Sequence, residues 1–299
     1  MIEIISSKRT ISHTRTHITG YAWGIASHLN GVKNGDELRA AYEENQPKIV
    51  QANMKFSQSK PLYDALLKVQ QGWGESDEVA MDFVTSQKKR AVENSLRGMK
   101  LGGVGLTEGS PEQIRFKEIK MRFAELSTAF SNNVLDATKA FGLEVTDASS
   151  VEGVPESAKA MWAQAHHQHL LKECKDDEEE KKRLEDIKVD ANTGPWRITL
   201  DGPSYVAAMQ HIPNRELRKE VYLGYLKRAS EFTADVLEQK DGGEKNEDGE
   251  KKEKKLGKNN VPLIQEILQL RQEISGLLGF KNYAGEFWCG IFFGFKFCQ

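Results

Sequence analysis

A chain of 299 residues with 38% hydrophobic and 29% charged content is long enough for one large or two small globular domains. Its 42 lysines and arginines nearly cancel its 44 aspartates and glutamates, so no global field draws it to nucleic acid or to an anionic membrane. Three cysteines, Cys174, Cys289 and Cys298, are too few and too unevenly spaced for a disulfide framework; they fit a reducing intracellular compartment, cytoplasmic or organellar, rather than secretion.

Residues 1–20 are rich in Ser and Thr, carry Lys8, Arg9 and Arg15, and contain Glu3 as their one acid. The composition predicts a disordered polar arm or part of an organelle transit segment, without the apolar core of a secretory signal. His13 and His17 are four apart and on a helix would share a face as metal ligands. This β-branched, Ser/Thr-rich run is a poor helix former, however, which favours the polar arm.

From Tyr21 the periodicity is helical. Ala22, Trp23, Ile25, Ala26 and Leu29 form a first stripe, and Asp36 is placed to cap a second helix with Leu38, Ala41 and Tyr42, bounded near Pro47. Ile49, Val50, Met54 and Phe56 continue. Ser59-Lys60-Pro61 then opens a helix with Leu62, Ala65, Leu66 and Val69 at i, i+3, i+4, i+7. All these stripes are expected to pack into a core. After Gly72-Trp73-Gly74, Ser76 or Asp77 is placed to cap a helix bearing Val79, Phe83 and Val84 and ending near Gly98. The segment Gly102 to Gly109, GGVGLTEG, lacks the spacing of a dinucleotide fingerprint and no Lys-Ser/Thr follows it, so it reads as a linker.

Ser110-Pro111-Glu112-Gln113 supplies a capping box for the longest helix. Ile119, Phe123, Leu126, Phe130, Val134, Ala137 and Phe141 recur along it in steps of four and three, and Gly142 fits its stop. Leu143 to Asp147 has the make-up of a short strand. Val154-Pro155 leads into a helix with Ala158, Met161, Trp162 and Ala165. His166, His167 and His169 lie ahead of Cys174, yet a structural zinc site needs four convergent ligands. The stretch runs straight into the charge run Lys175 to Lys182, so an exposed helix end is the plainer reading.

Trp196, Ile198 and Leu200 alternate with Arg197 and Thr199 as in a strand with one buried face. Pro203 suits a first helical turn, with Tyr205, Val206, Met209 and Ile212 behind it, and Asn214 is placed to cap a helix from Arg215 to about Ser230. Glu238 to Lys258 mixes charges and glycines without an apolar stripe, which predicts a disordered insertion; it offers no aromatic face to a nucleic-acid base. Helical order resumes at Val261-Pro262 and stops at Gly279. The last stretch, GEFWCGIFFGFKFCQ, reads as neither helix nor strand and is too short for a membrane span of about 20 residues.

Several of these segments resemble one family. Trp196, Thr199-Leu200-Asp201, Pro203-Ser204-Tyr205, Met209-Gln210, Asn214-Arg215, Leu217-Arg218, Glu220-Val221-Tyr222, Tyr225-Leu226 and Arg228-Ala229-Ser230 look like the signature segment of the thimet-type oligopeptidases, most of all the oligopeptidase A branch. Phe130 to Lys139 agrees, as do Ile267-Leu268, Leu277 to Phe280 and Asn282-Tyr283-Ala284. Trp23, Gln58 to Pro61 and Glu152-Gly153 add to the match. The resemblance implies a mainly α fold: a multi-helix array corresponding to the noncatalytic part of a two-lobed zinc endopeptidase of short peptides, with one or two short strands. It divides the chain into 1–20, a helical region over 21–284 with insertions near 173–190 and 238–259, and a non-family hydrophobic tail over 285–299.

The family's chemistry rests on H-E-x-x-H, in which two histidines bind zinc and the Glu activates water. The histidines here are His13, His17, His28, His166, His167, His169 and His211, and none is followed by Glu. No catalytic, metal-binding or cofactor-binding residue of the family therefore transfers to this chain, and zinc belongs to its full-length relatives. The expectation is a truncated relative, hydrolytically silent alone, whose partners are short peptides and a missing catalytic half. A helical peptide- or protein-binding module is the alternative. An enzyme of another mechanism has no Ser/His/Asp or Cys/His arrangement to favour it. The tail reads as replacement sequence, with a partner-binding or membrane-dipping tail as its alternative.

Overall fold

A computed structural model describes residues 20–73, 83–174, 178–187, 189–232 and 259–291. The mainly α expectation holds, with one two-stranded sheet among the described residues. The chain divides into two compact units, 1–129 with 263–299, and 130–262.

The first unit begins with helices α1 (20–32), α2 (Asp36–Ser57), α3 (Lys60–Gln71) and α4 (Phe83–Leu101). Pro47 lies inside α2 rather than at its boundary, and Gly35, not Asp36, occupies the N-cap. Asp36 and Glu37 instead place their charges in the first turn, where the helix dipole favours them. A proline forfeits one backbone bond and strains its turn. The neighbouring Gln46 ties this part of α2 to a distant stretch of the chain, donating to the Ala124 carbonyl at 3.1 Å and to Thr128 Oγ1 at 2.8 Å. Ser59 and Pro61 stand at the start of α3 as the sequence predicts. The start of α4 around Ser76 and Asp77 lies outside the described residues, as do residues 1–19.

The core stripes expected of these helices are only partly buried. Ile25, Leu29, Phe56 and Val69 are exposed, and neither α2 nor α3 has a fully buried residue. Trp23 stacks on Tyr42 at 4.4 Å instead of entering a core. Periodicity shows that a helix has an apolar side, but burial needs a partner on that side.

Helix α5 (Pro111–Ala140) carries the buried centre of the unit. Its Phe116, Ile119 and Leu126 meet Leu270 and Ile274 of α10 (Val261–Leu277), with Phe123, Ile267 and Leu277 packed alongside. Each such side chain contributes about 1.5–3 kcal/mol when fully buried. Gln113 N donates to Ser110 Oγ at 3.2 Å, half of the expected capping box. The Gln113 side chain accepts from Gly109 N–H at 3.0 Å, because Ser110 N–H is already held by the Thr107 carbonyl. Gly103, at φ +85, passes so close to the Phe116 ring that a side chain would crowd it. Two guanidinium–carboxylate pairs, Arg115 with Glu273 and Arg122 with Glu266, fasten α5 to α10, each with one contact of 2.6 Å and one of 2.9 Å.

Gly279 ends α10 in the left-handed region at φ +84, with Phe280 N–H returning to the Ser275 carbonyl at 2.8 Å. Against expectation, helical order extends past Ala284: α11 runs Tyr283–Ile291. Asn282 Oδ1 accepts from Gly285 N–H at 2.9 Å as its cap. Glu286, buried, receives Ser275 Oγ–H at 2.7 Å, and Phe287 lies one turn from Tyr283. A charged residue on the inward face interrupts the apolar rhythm, which hides the helix from a periodicity reading. Residues 292–299 lie outside the described set.

The second unit is built on a small sheet. Strands β1 (Leu143–Val145) and β2 (Trp196–Ile198) are antiparallel, pairing Leu143 with Ile198, Glu144 with Arg197 and Val145 with Trp196. Leu143, Val145, Trp196 and Ile198 face inward. They join Phe141, Trp162, Leu200, Ala208, Ile212 and Val221, the last five from α6 (Glu156–Glu173), α8 (Gly202–His211), α9 (Arg215–Leu226) and their joints. The charge run beyond Cys174 forms a short helix, α7 (Glu178–Glu185), with three acids in its first turn and Lys182 and Arg183 in its last, an arrangement the helix dipole stabilises. Buried Asn133 and Asn260 satisfy each other, Nδ2 to Oδ1 at 2.7 Å. The insertion over 238–258 lies outside the described residues.

Candidate functional site

The segment from β2 through α9 positions its side chains by a few local devices. β2 stops at Ile198, earlier than the alternation to Leu200 suggests, because Thr199 N–H turns to Ser204 Oγ at 3.0 Å. Ser204 is buried in the first turn of α8 and its hydroxyl oxygen also accepts from the Trp162 indole N–H at 2.9 Å. One oxygen thus ties α6, β2 and α8 together. Asn214 Oδ1 caps α9, accepting from Glu216 N–H at 2.9 Å, as its type and place predict. Gly224 lets α9 approach the Phe141 ring so closely that a Cβ there would overlap it.

These devices bring Tyr205, Tyr225 and Arg228 into one stack. Tyr205 of α8 stacks on Tyr225 of α9 at 4.2 Å between ring centroids and 27° between planes. The Arg228 guanidinium lies over the Tyr225 ring at 3.7 Å. It is held there by Nε donating to the Tyr225 carbonyl and Nη1 donating to Thr138 Oγ1, both at 3.0 Å. Tyr222, one turn before Tyr225, is exposed. Burial pushes the Tyr205 phenol above its ordinary pKa; Tyr222 and Tyr225 push the same way and Arg228 opposes them. At neutral pH the phenol therefore keeps its proton and remains a hydrogen-bond donor.

A second polar group lies on the outward side of the sheet. Glu144 accepts from Arg197 Nη1 at 2.6 Å, and its other oxygen meets His166 Nδ1 at 2.5 Å. Arg197 packs over Gly142, where a Cβ would collide with the guanidinium. His169 pairs with Glu173 at 3.2 Å, and Cys174 follows the last turn of α6. The structure thus turns His166 toward β1 and His169 along its own helix, and does not gather them with Cys174. His13, His17, Cys289 and Cys298 lie outside the described residues or have no described side chain.

Zinc, which the resemblance assigns to the full-length relatives, finds no fit among the described residues. Among the described residues no group of three or more His, Cys, Asp and Glu surrounds a common point. The described histidines are each taken up elsewhere or followed by residues other than Glu. No described helix is long and apolar enough to cross a membrane.

Neither polar group stands out in the sequence by itself. The facing of Glu144 and Arg197 could be guessed from opposite charges at the outward positions of two strands, but only once their register is known. Tyr205, Tyr225 and Arg228 occur within the family-like segment; their stacking depends on the crossing of α8 and α9.

The family model for the neurolysin/thimet oligopeptidase N-terminal domain matches residues 13–111. Over 268 residues the chain is 38% identical to the probable cytosolic oligopeptidase A of Arabidopsis thaliana, covering 88% of this chain and 31% of that protein. It is 37% identical over 268 residues to the organellar, chloroplastic/mitochondrial oligopeptidase A of the same plant, covering 88% and 27%. With oligopeptidase A of Escherichia coli it shares 35% identity over 269 residues, covering 89% and 32%. The chain spans between about a quarter and a third of the length of the curated relatives it matches.

Proposed function

We propose, on the premise that this chain belongs to the thimet-type oligopeptidase family in its oligopeptidase A branch, that it contributes a peptide-contacting helical part of such a peptidase and does not hydrolyse peptides by itself. The observation that carries the reading is a pair of facts. Identity to oligopeptidase A extends through nearly nine-tenths of the chain, while none of its seven histidines begins H-E-x-x-H.

Water attack on a peptide bond needs an activated nucleophile and a stabilised oxyanion. The described polar groups supply neither. Arg197 and His166 are engaged by Glu144, and the Ser204 hydroxyl is buried and committed to two donors. What the second unit does offer a peptide is a rigid edge of aromatic rings and a fixed cation on α8 and α9. Residues outside these 299 would supply the metal chemistry, and short peptides are the substrates of the assembled enzyme. The proposed compartment is the cytosol or an organelle, following the names of the plant relatives. Residues 285–299 are proposed as sequence foreign to the family.

The test is a quenched-fluorescence peptide assay on the purified 299-residue chain with added zinc. The expected result is no cleavage above the buffer rate; cleavage abolished by a chelator would overturn the proposal.

A further inference from the structure

The chain holds two Asn-Gly pairs, Asn30-Gly31 and Asn34-Gly35. In such a pair the glycine nitrogen is a nucleophile for the asparagine side-chain carbon Cγ, because no Cβ on the following residue screens it. The two pairs stand in different settings. Asn30 is buried within α1 and Gly31 continues that helix, whose ladder of hydrogen bonds fixes the backbone on both sides of the pair. Asn34 lies half-buried in the joint between α1 and α2, in the left-handed region at φ +34, which asparagine tolerates better than most residues. Gly35 is exposed and extended, at φ −154 and ψ 161.

Gly35 occupies the N-cap of α2. Its carbonyl joins the helix, accepting from Arg39 N–H at 2.9 Å, while its own N–H has no hydrogen-bond partner among the described residues. A side-chain carbon placed on Gly35 would meet nothing within 4 Å, so its surroundings are open. The Asn34 carboxamide, by contrast, is held at both ends. Its Oδ1 accepts from Arg39 Nη2 at 2.8 Å, and its Nδ2 donates to the Asn30 carbonyl at 2.7 Å. A guanidinium on Oδ1 draws electrons from Cγ and stabilises the negative charge that grows on this oxygen as a nitrogen adds. Asn30 Oδ1 is also buried and has no hydrogen-bond partner among the described residues. The bond from Asn34 therefore serves the backbone of a residue whose own side chain is already unsatisfied.

We propose that Asn34 is a site of spontaneous deamidation, with Gly35 as the attacking residue and Arg39 as a positioning residue. The Gly35 nitrogen bonds to Asn34 Cγ and gives up its proton. The Cγ–Nδ2 bond breaks, and Nδ2 leaves with that proton as ammonia, closing a cyclic succinimide. Solvent water then adds to either ring carbonyl and opens the ring to an aspartyl or an isoaspartyl residue at position 34; no oxidant or reductant takes part. The new carboxylate faces Arg39 at the start of α2, where the helix dipole favours negative charge. It no longer donates to the Asn30 carbonyl, so the end of α1 loses that bond. The modification exchanges a hold on α1 for one on α2 and loosens the joint between them. It is independent of the peptide-contacting role.

The test is peptide mapping by mass spectrometry of the intact 299-residue chain, aged at mildly alkaline pH with and without urea. The mass gain from amide to acid is followed at Asn30 and Asn34. In the folded chain Asn34 is expected to convert at least roughly tenfold faster than Asn30, and no slower than it does in urea. In urea, where both pairs are free of the fold, the two rates should agree within about threefold. Arg39→Gln should slow conversion of Asn34 at least about threefold in the folded chain and leave the urea rate unchanged. Equal folded rates at Asn34 and Asn30, or conversion of Asn34 slower in the folded chain than in urea, overturns the site. An unchanged folded rate in Arg39→Gln overturns the role of Arg39; if that variant fails to fold, the comparison of folded with urea-treated wild type decides. Hydrogen exchange of the aged chain should quicken at the end of α1, and unaltered exchange there overturns the loosening of the joint.

Discussion

Ser204→Ala removes one oxygen and strands two donors. Ser204 is 1% exposed and accepts from the fully buried Trp162 indole N–H and from the half-buried Thr199 N–H. Leaving a buried donor unsatisfied costs about 1–3 kcal/mol; for the half-buried one, which water can reach, about 1 kcal/mol is appropriate. The expected loss is about 2–4 kcal/mol, large against the 5–15 kcal/mol of a typical domain. Urea unfolding followed by far-ultraviolet circular dichroism measures it as a fall in midpoint at constant slope. Trp162→Phe supplies the control: with the indole donor gone, Ser204→Ala should cost only about 1 kcal/mol more, so the two changes are non-additive. A loss below about 0.5 kcal/mol for Ser204→Ala, or its full cost in the Trp162→Phe background, would refute the reasoning.

Gly224→Ala should destabilise the second unit by about 1–3 kcal/mol, because the added Cβ overlaps the Phe141 ring; an unchanged urea midpoint would contradict this. Hydrogen bonds from Arg122 and Arg115 hold the Glu266 and Glu273 carboxyls below the ordinary carboxylate range. A depressed folded pKa adds stability that is present above the unfolded value, about 4.3, and is lost as pH falls through the folded value. The double variant Glu266→Gln, Glu273→Gln should therefore show a flatter acid limb of midpoint against pH than the wild type; matching slopes would count against the pairs. Exposed Phe56, Val69, Ile264 and Leu268 lead us to expect concentration-dependent self-association in light scattering, and a sharp monomer at all concentrations would be the contrary finding.

Much of the fold is legible residue by residue. Ser110-Pro111 marks the start of α5, Asn214 caps α9, and the alternation from Trp196 marks β2. In each case the local chemistry has one strong preference that packing does not override. Pro47 misleads because α2 runs on through it, with its neighbour Gln46 bonded to a sequence-distant helix, a contact no local window contains. The helix α11 is hidden because its inward position is Glu286, whose partner Ser275 lies on another helix. The stripes of α1 to α3 show an apolar side but not how much of it is covered.

The candidate site is less legible for the same reason. Tyr205 meets Tyr225 only through the crossing of α8 with α9, and Arg228 lies over the same Tyr225 ring from three residues further along the chain. Family resemblance points to the segment. The pairing of Glu144 with Arg197 and His166 depends on the register of two three-residue strands. Such strands carry too few positions for a pattern to specify their register.

The central claim is that this chain contacts peptides without cutting them. Its most direct test is mass spectrometry of a defined peptide mixture after prolonged incubation with the purified chain and zinc, with and without a chelator. Every peptide is expected to be recovered intact in both samples. New fragments that appear with zinc and vanish with the chelator would contradict the account.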